Sequence, residues 1–349
     1  MVRHGVGRSW LLPLITNIRA LPLIIYAIPL YLMFQLVGLL DSWLGMILIT
    51  AVISIPVALV LFVGFLQDIP IEMDEAGKLD GASQRIILWK LIFPMSQGSV
   101  DELSREEIAR YSRHLTLPEV GIEGQKKLKS ASVLCIGTGG LGSPLLMYLA
   151  AAGVGKLGIV DYDIVDKSNL QRQIIHEEQS IGLNKAESAK IALNRINSDI
   201  NVVPIKKQLN IDEVKSIAKD VDVIVDCSDN FETRYALNKI AFDLKCPLVS
   251  GAAIKFDGQV SIFDFRTDNS PCYNCLFSGN DEEQNLKCSD HGVFSPLVGL
   301  VGSIQAGEVI KVLLDIETTL HGKLLLINHR DIDFKILKIQ KDKHCEICS

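Results

Sequence analysis

Excess basic charge is what this chain most plainly lacks: 35 Lys and Arg stand against 41 Asp and Glu, for a formal net charge of −6. Without a positive field there is nothing to hold a phosphate backbone, so nucleic acid is excluded as a partner. Charge of either sign is also missing from Leu23 to Leu40 and from Ser42 to Gln67. Each stretch approaches the length a helix needs to cross a bilayer. Residues 1–100 balance their few charges, with Arg3, Arg8, Arg19, Lys78, Arg85 and Lys90 as the basic ones, so the whole negative excess falls on the remainder.

The runs Leu23–Leu40 and Leu44–Leu66 are separated by little more than Asp41-Ser42-Trp43, which predicts a tight two-helix transmembrane hairpin. Pro29 and Pro56 kink such helices without abolishing them. Arg3, Arg8 and Arg19 precede the first run and place the N-terminus in the cytoplasm, to which two crossings return the chain. A cleaved signal peptide does not fit, because the apolar run is long and a second follows it. The alternative reading is a pair of buried core helices. Gln97-Gly98-Ser99 marks a junction, giving residues 1–97 as a membrane-associated part and residues 98–349 as a second domain that is soluble in composition.

Beyond the junction, Glu102 to Tyr111 is charged and helical in period, and Ser104 with Glu107 forms a capping box. From Ala131 the pattern alternates. Strands are expected at Ala131–Ile136, Lys156–Val160, Val202–Ile205, Val221–Val225, Pro247–Ser250, Gln259–Phe265, Lys323–Ile327 and Phe334–Ile339. Helices are expected at Leu141–Ala152, Lys185–Asn197, Asp212–Ala218 and Phe231–Leu244. The fold class is α/β: a doubly wound, Rossmann-like, mostly parallel sheet with an antiparallel extension.

Gly137-Thr138-Gly139-Gly140-Leu141-Gly142 follows the first of these strands and opens the first helix, so its amides face an anion. Asp161 ends the next strand, where a carboxylate accepts hydrogen bonds from ribose hydroxyls. Together they indicate an adenosine nucleotide, and on this ground alone an NAD dehydrogenase is the default. Ser168-Asn169-Leu170-Gln171-Arg172 and Lys185 change the balance, because a triphosphate attacked at its α-phosphorus needs cations on the β and γ groups. Asp229, in Asp226-Cys227-Ser228-Asp229-Asn230, is placed to hold Mg²⁺; the plainer role for Asp229 or Asn230 is to cap the helix from Phe231.

The eight cysteines include two Cys-x-x-Cys pairs, Cys272/Cys275 and Cys345/Cys348. Four thiolates in two such pairs supply the sulfur set of a structural zinc, in a compartment that keeps thiols reduced. A redox role fits less well, since neither pair opens a helix after a strand. His344 is surplus to that set. Cys135 and Cys227 end apolar runs and are read as small buried hydrophobes.

From about Leu103 onward the chain resembles the ubiquitin-activating-enzyme-like adenylyltransferases of the MoeB/ThiF/HesA group, and most of all those that act on molybdopterin synthase. Arg110-Tyr-Ser-Arg-His114, Gly137 to Gly142, Ser168 to Gln173, Asp226 to Asn230, Ser250-Gly-Ala-Ala253 and both cysteine pairs match in order and spacing. The resemblance implies nucleotide contacts at Gly137, Gly139, Gly140, Gly142, Asp161 and Asp163. It implies phosphate contacts from the Ser168, Asn169, Gln171 and Arg172 run and from Lys185, and contacts to nucleotide and Mg²⁺ at Asp229 and Asn230. Arg113 matches an arginine donated across a homodimer interface, and Cys288 a cysteine that in some relatives bonds covalently to the carrier. The reaction implied is ATP-dependent adenylylation of the C-terminal glycine of a ubiquitin-like sulfur carrier ending in Gly-Gly, serving molybdenum-cofactor or thiamin-type sulfur transfer. The sequence ends just past Cys348, so the sulfur donor is expected to be a separate protein.

Residues Arg19 to Pro94 resemble a fragment of sugar-type ABC transporter permeases, with Glu75, Ala76, Asp80 and Gly81 matching their coupling loop and Gly77 departing from it. The expectation is therefore an enzyme anchored to the cytoplasmic face of the membrane. Its rivals are a transport component with a non-catalytic soluble domain, and an NAD oxidoreductase, which has no need of Arg172 and Lys185.

Overall fold

In the computed structural model, the described residues are 23–40, 42–48, 50, 103–267, 270–277, 292–317 and 320–349. They fall into two compact units, Met1–Pro118 and Glu119–Ser349.

In the first unit, α1 (Leu23–Leu36) covers most of the first charge-free run and carries Pro29 within it. It has 14 residues, and residues 43–48 are again helical. The rest of the expected hairpin, the junction at residues 97–99 and the coupling-loop match lie outside the described residues. α2 (Arg105–Arg110) begins at the expected capping box: Glu107 N donates to Ser104 Oγ at 3.1 Å and Ser104 N to Glu107 Oε2 at 2.7 Å. The short α3 (Ser112–Thr116) carries Arg113.

The second unit begins with α4 (Gly121–Ser130) and is built on one eight-stranded sheet. β1 (Ser132–Ile136) and β4 (Val223–Asp226) are buried throughout, because helices cover both faces of the parallel part. Alternation still operates inside these runs. Val133 and Cys135 face one core with α5 (Gly142–Ala152), α6 (Lys185–Ile196) and α10 (Ser295–Leu313). Leu134 and Ile136 face the other with α8 (Phe231–Leu244).

The remaining parallel strands are β2 (Lys156–Val160), β3 (Asn201–Ile205) and β5 (Leu248–Ile254), in the order β3-β2-β1-β4-β5. α7 (Ile211–Ala218) joins β3 to β4. β6 (Asp257–Phe263), β7 (Lys323–Asn328) and β8 (Asp333–Lys338) then add antiparallel neighbours in sequence order.

The expected elements are present with shifted ends. The largest shift is at β5 and β6, which extend toward each other until Ile254 pairs with Asp257. A two-residue turn with Lys255 at φ +50° closes that hairpin, so the strands continue past Ser250, and Phe265 falls beyond β6.

Of the described helices, α10 is long and apolar enough to cross a membrane by length and composition. Half of it is buried, its apolar residues packing in the core shared with α5 and β5.

Candidate nucleotide and metal sites

The turn after β1 is shaped by two contacts that only glycine permits. Gly137 adopts φ +98°, and a Cβ there would meet Cys227 O at 2.7 Å. A Cβ on Gly142 would meet Gly137 O at 2.1 Å, so the turn closes on itself at the first residue of α5. The N-cap of α5, Leu141, supplies no side-chain acceptor; within the first turn Ser143 N donates to Gly139 O at 2.9 Å and Pro144 has no N–H, so an anion would meet the amides of the glycine turn before them. Gly139 O accepts from Ser143 Oγ at 2.6 Å, while Gly140 rests against Val298 of α10.

Thr138, fully buried, fixes this turn from two sides. Its N–H and Oγ1–H both donate to Asp161 Oδ2 at 2.9 Å. Its carbonyl lies 3.1 Å from His176 Nε2. A carbonyl only accepts, so Nε2 carries the proton and Nδ1 accepts from Ser188 Oγ at 2.9 Å. Burial is the chief cause that lowers the His176 pKa and keeps the ring neutral. His176 is a site residue that the sequence reading missed. Its only signal was a histidine four residues past Arg172, and its partners Thr138 and Ser188 lie 38 and 12 residues away.

Asp161 Oδ1 also accepts from Asp163 N at 3.0 Å, so this carboxylate is already engaged in holding the turn to the end of β2. Two residues on, the half-exposed Asp163 pairs with the buried Lys185 at 3.0 Å. Asn184 caps α6 and also bonds the Asp161 and Asp163 carbonyls at 3.0 and 3.1 Å, which places Lys185 beside the glycine turn.

The Ser168–Arg172 segment is a tight turn held by its own side chains. Asp166 Oδ1 accepts from Ser168 N and Oγ at 2.8 and 2.6 Å, and Asp166 N donates to Asn169 Oδ1 at 3.2 Å. Arg172 Nη1 donates to Ser168 O at 3.2 Å, and among the described residues no carboxylate pairs with its guanidinium. Gln171 Oε1 accepts from Ser295 Oγ, tying this turn to the start of α10.

At the end of β4 the buried Asp226 takes Ser228 N and Oγ at 3.0 and 2.6 Å and Ser250 Oγ at 2.8 Å, with Arg234 at 4.0 Å. This leaves Asp229 exposed at the carboxyl edge of the sheet, while Asn230 caps α8 by accepting from Thr233 N at 2.9 Å. The Tyr162 hydroxyl has its pKa raised first by Asp163, then by burial, Asp229 and Asp161. Carboxylates from the ends of β2 and β4 therefore meet at one edge, with the glycine turn between them.

The four expected thiols converge on a second site. Cys272 Sγ lies 3.9 Å from Cys275 Sγ and 3.5 Å from Cys345 Sγ, and Cys275 Sγ lies 3.3 Å from Cys348 Sγ. All four sulfurs fall within 4.8 Å of one another. These spacings exceed a disulfide bond of about 2.05 Å and leave room for a central ion. Asn238 of α8 holds the first pair, its Oδ1 accepting from Tyr273 N at 2.9 Å, and Asp342 N donates to Cys275 Sγ at 3.4 Å. His344 is exposed and outside the sulfur set. Cys288 lies outside the described residues, and Arg113 belongs to the first unit.

A ThiF family model matches residues 111–347, and a model of the binding-protein-dependent transport system inner membrane component matches residues 1–99. The adenylyltransferase and sulfurtransferase MOCS3 of Aedes aegypti is 43% identical over 252 residues, covering 72% of this chain and 57% of that protein. The protein of the same name from Drosophila ananassae is 43% identical over 262 residues, covering 74% and 58%. The chain thus spans less than two thirds of the length of these relatives. Among solved structures, E. coli MccB with ATP superposes with a TM-score of 0.62 at 22% identity, covering 72% of this chain and 76% of that one. PaaA superposes at 0.60 and 22%, covering 69% and 76%. These two likenesses establish the shared fold.

Proposed function

The chain belongs to the ThiF family, and from that premise we propose that it adenylylates the C-terminal glycine of a ubiquitin-like sulfur carrier, consuming ATP and releasing pyrophosphate. The observation that carries this reading is the grouping of cations and carboxylates around the glycine turn. Lys185 sits beside the turn, Arg172 lacks a carboxylate partner among the described residues, and Asp229 is exposed at the same edge. A dehydrogenase needs only the turn and the ribose side.

In this reading the α5 N-terminus and Gly139–Gly142 receive the triphosphate, and Arg172 and Lys185 neutralise its outer groups. Asp163 is the exposed carboxylate next to the ribose position, with Asp161 holding the turn behind it. A carboxylate oxygen of the carrier's last glycine bonds to the α-phosphorus as the bond to the bridging oxygen of pyrophosphate breaks. The nucleophile is already ionised at neutral pH, so no general base is required and positioning supplies the rate. Asp161, Asp163 and Asp229 together repel a triphosphate, and a hard divalent cation held at Asp229 removes that repulsion; Mg²⁺ fits. The sulfur cluster fits Zn²⁺, whose bonds of about 2.3 Å set tetrahedral sulfurs about 3.8 Å apart.

The name of the MOCS3 relatives supports adenylyl transfer coupled to sulfur transfer, and the crystal structure of E. coli MccB with both AMPCPP and MccA supports a peptide-class acceptor bound together with the nucleotide. Molybdenum-cofactor or thiamin-type sulfur transfer is the pathway class, with a separate sulfur donor. A homodimer completed by Arg113 and a covalent role for Cys288 belong to the same proposal. For residues 1–97, the charge-free runs and the transport-component match support a membrane hairpin that keeps the catalytic unit at the cytoplasmic face. Carrier-dependent ATP–pyrophosphate exchange tests the activity, with none expected of a transport subunit. Extraction of the full chain from membranes by detergent, but not by salt, tests the anchor.

A further inference from the structure

The β5–β6 turn, the segment before α10 and the β7–β8 turn are joined by backbone hydrogen bonds into one surface. Lys255 N donates to Gly292 O at 2.9 Å, Phe294 N to Lys255 O at 2.8 Å, and His329 N to Phe256 O at 2.8 Å. On this surface Phe256 and Phe294 stack with centroids 5.0 Å apart, and His329 meets Phe294 at 5.2 Å edge-on. Arg330 lies 6.0 Å over the Phe256 ring. Both phenylalanines keep large exposure, 41% and 38%. No core requires aromatic rings there, and two half-exposed phenyl groups fixed side by side form a surface that gains by being covered.

Its position identifies what covers it. Phe294 is the N-cap of α10; the next residue, Ser295, bonds Gln171, and Val298 lies under Gly140. One helical turn, about 6 Å, separates Phe294 from Val298. That distance equals about two residues of extended chain. The strand order puts the ribose side at β2, the phosphate turn after β1 and the aromatic surface at β5–β7, across β4 from the nucleotide. Adenine therefore lies on the far side, and the aromatic surface lies on the side left open to the acceptor.

Resting on the adenylylation reading, we propose that Phe256, Phe294, His329 and Arg330 seat the extended C-terminal tail of the carrier and select an apolar side chain a few residues before its Gly-Gly terminus. The phenyl faces cover that side chain. Arg330, unpaired with any carboxylate among the described residues, is free to donate to a tail carbonyl, since Asp331 is held by Asn328 and Asp333 by Lys335. The glycine pair beyond has no side chains and passes to the turn.

The experiment measures ATP–pyrophosphate exchange by the full chain, first with a panel of purified ubiquitin-fold carriers ending in Gly-Gly. Phe256→Ala and Arg330→Gln are then compared with the unaltered chain on the carrier that works best. Both sites are exposed, so both variants fold; Phe256→Leu serves as a milder control. The expected result is a tenfold or larger rise in KM for the carrier with KM for ATP unchanged. A carrier whose apolar residues just before Gly-Gly are replaced by Ser should lose the same factor on the unaltered chain and little more on Phe256→Ala. Unchanged carrier KM overturns the inference and leaves the adenylylation reading standing. A raised KM for ATP instead assigns the surface to the nucleotide and also overturns it. Absence of exchange with every carrier overturns the adenylylation reading and this inference with it.

Discussion

Lys185 Nζ lies 3.0 Å from Asp163 Oδ2, with the lysine side chain 9% exposed and the carboxylate 53%. The pair holds a cation next to the glycine turn before any nucleotide arrives. Replacing Lys185 by Ala removes a preorganised donor from the transition state, and adenylylation should fall by a factor of about 10² to 10³. Asp163 is exposed enough to be hydrated when left alone, so stability should change by less than about 1 kcal/mol. Exchange kinetics and thermal unfolding of the same preparation check both halves.

His176 joins the turn to α6 through Thr138 O and Ser188 Oγ. His176→Leu leaves both partners buried without it and should raise KM for ATP at least tenfold. His176→Gln retains an N–H for the Thr138 carbonyl and should lie between the two. The pH dependence follows in sign. The folded-state pKa is lowered, so the unfolded chain binds the proton first, and stability falls as pH drops below about 6.5, the ordinary histidine value, toward the folded one. His176→Gln should flatten that part of the stability curve, as denaturant midpoints at pH 5 to 8 will show.

The sequence disclosed what depends on local pattern and left hidden what depends on distant contact. β1 reads as an unbroken apolar run because both its faces are covered, and the Ser104–Glu107 box spans a single turn. The glycine run and the cysteine pairs carry their spacing in the sequence itself. Asp161 follows the apolar run of β2 in the sequence itself, but its bond to Thr138 arises only when parallel strands β1 and β2 align. His176 reads as one more polar residue until the fold carries it to Thr138. The aromatic surface is illegible in the sequence for the same reason, since Phe256, Phe294 and His329 come from three separate segments.

Removing metal should act on stability before it acts on chemistry. The four sulfurs tie residues 272–275 to residues 345–348, which are otherwise joined through the antiparallel strands. The purified chain should contain one zinc per polypeptide by elemental analysis. Cys275→Ser should lose that zinc and lower the melting temperature by several degrees. Full zinc occupancy in Cys275→Ser would contradict the four-sulfur set.

Gly142→Ala sets a Cβ 2.1 Å from Gly137 O, a contact that only movement of the turn relieves. Nucleotide binding should be lost by isothermal calorimetry even where the variant folds. Gly299→Ala, on α10 with open space around it, should bind ATP as the unaltered chain does.

The central claim is that AMP is transferred to a protein terminus, and mass spectrometry of the carrier tests it most directly. The full chain, ATP, Mg²⁺ and a carrier ending in Gly-Gly should yield a carrier heavier by one adenylyl group at its last glycine, with equimolar pyrophosphate released. A carrier of unaltered mass while ATP is converted to ADP and phosphate would contradict the account.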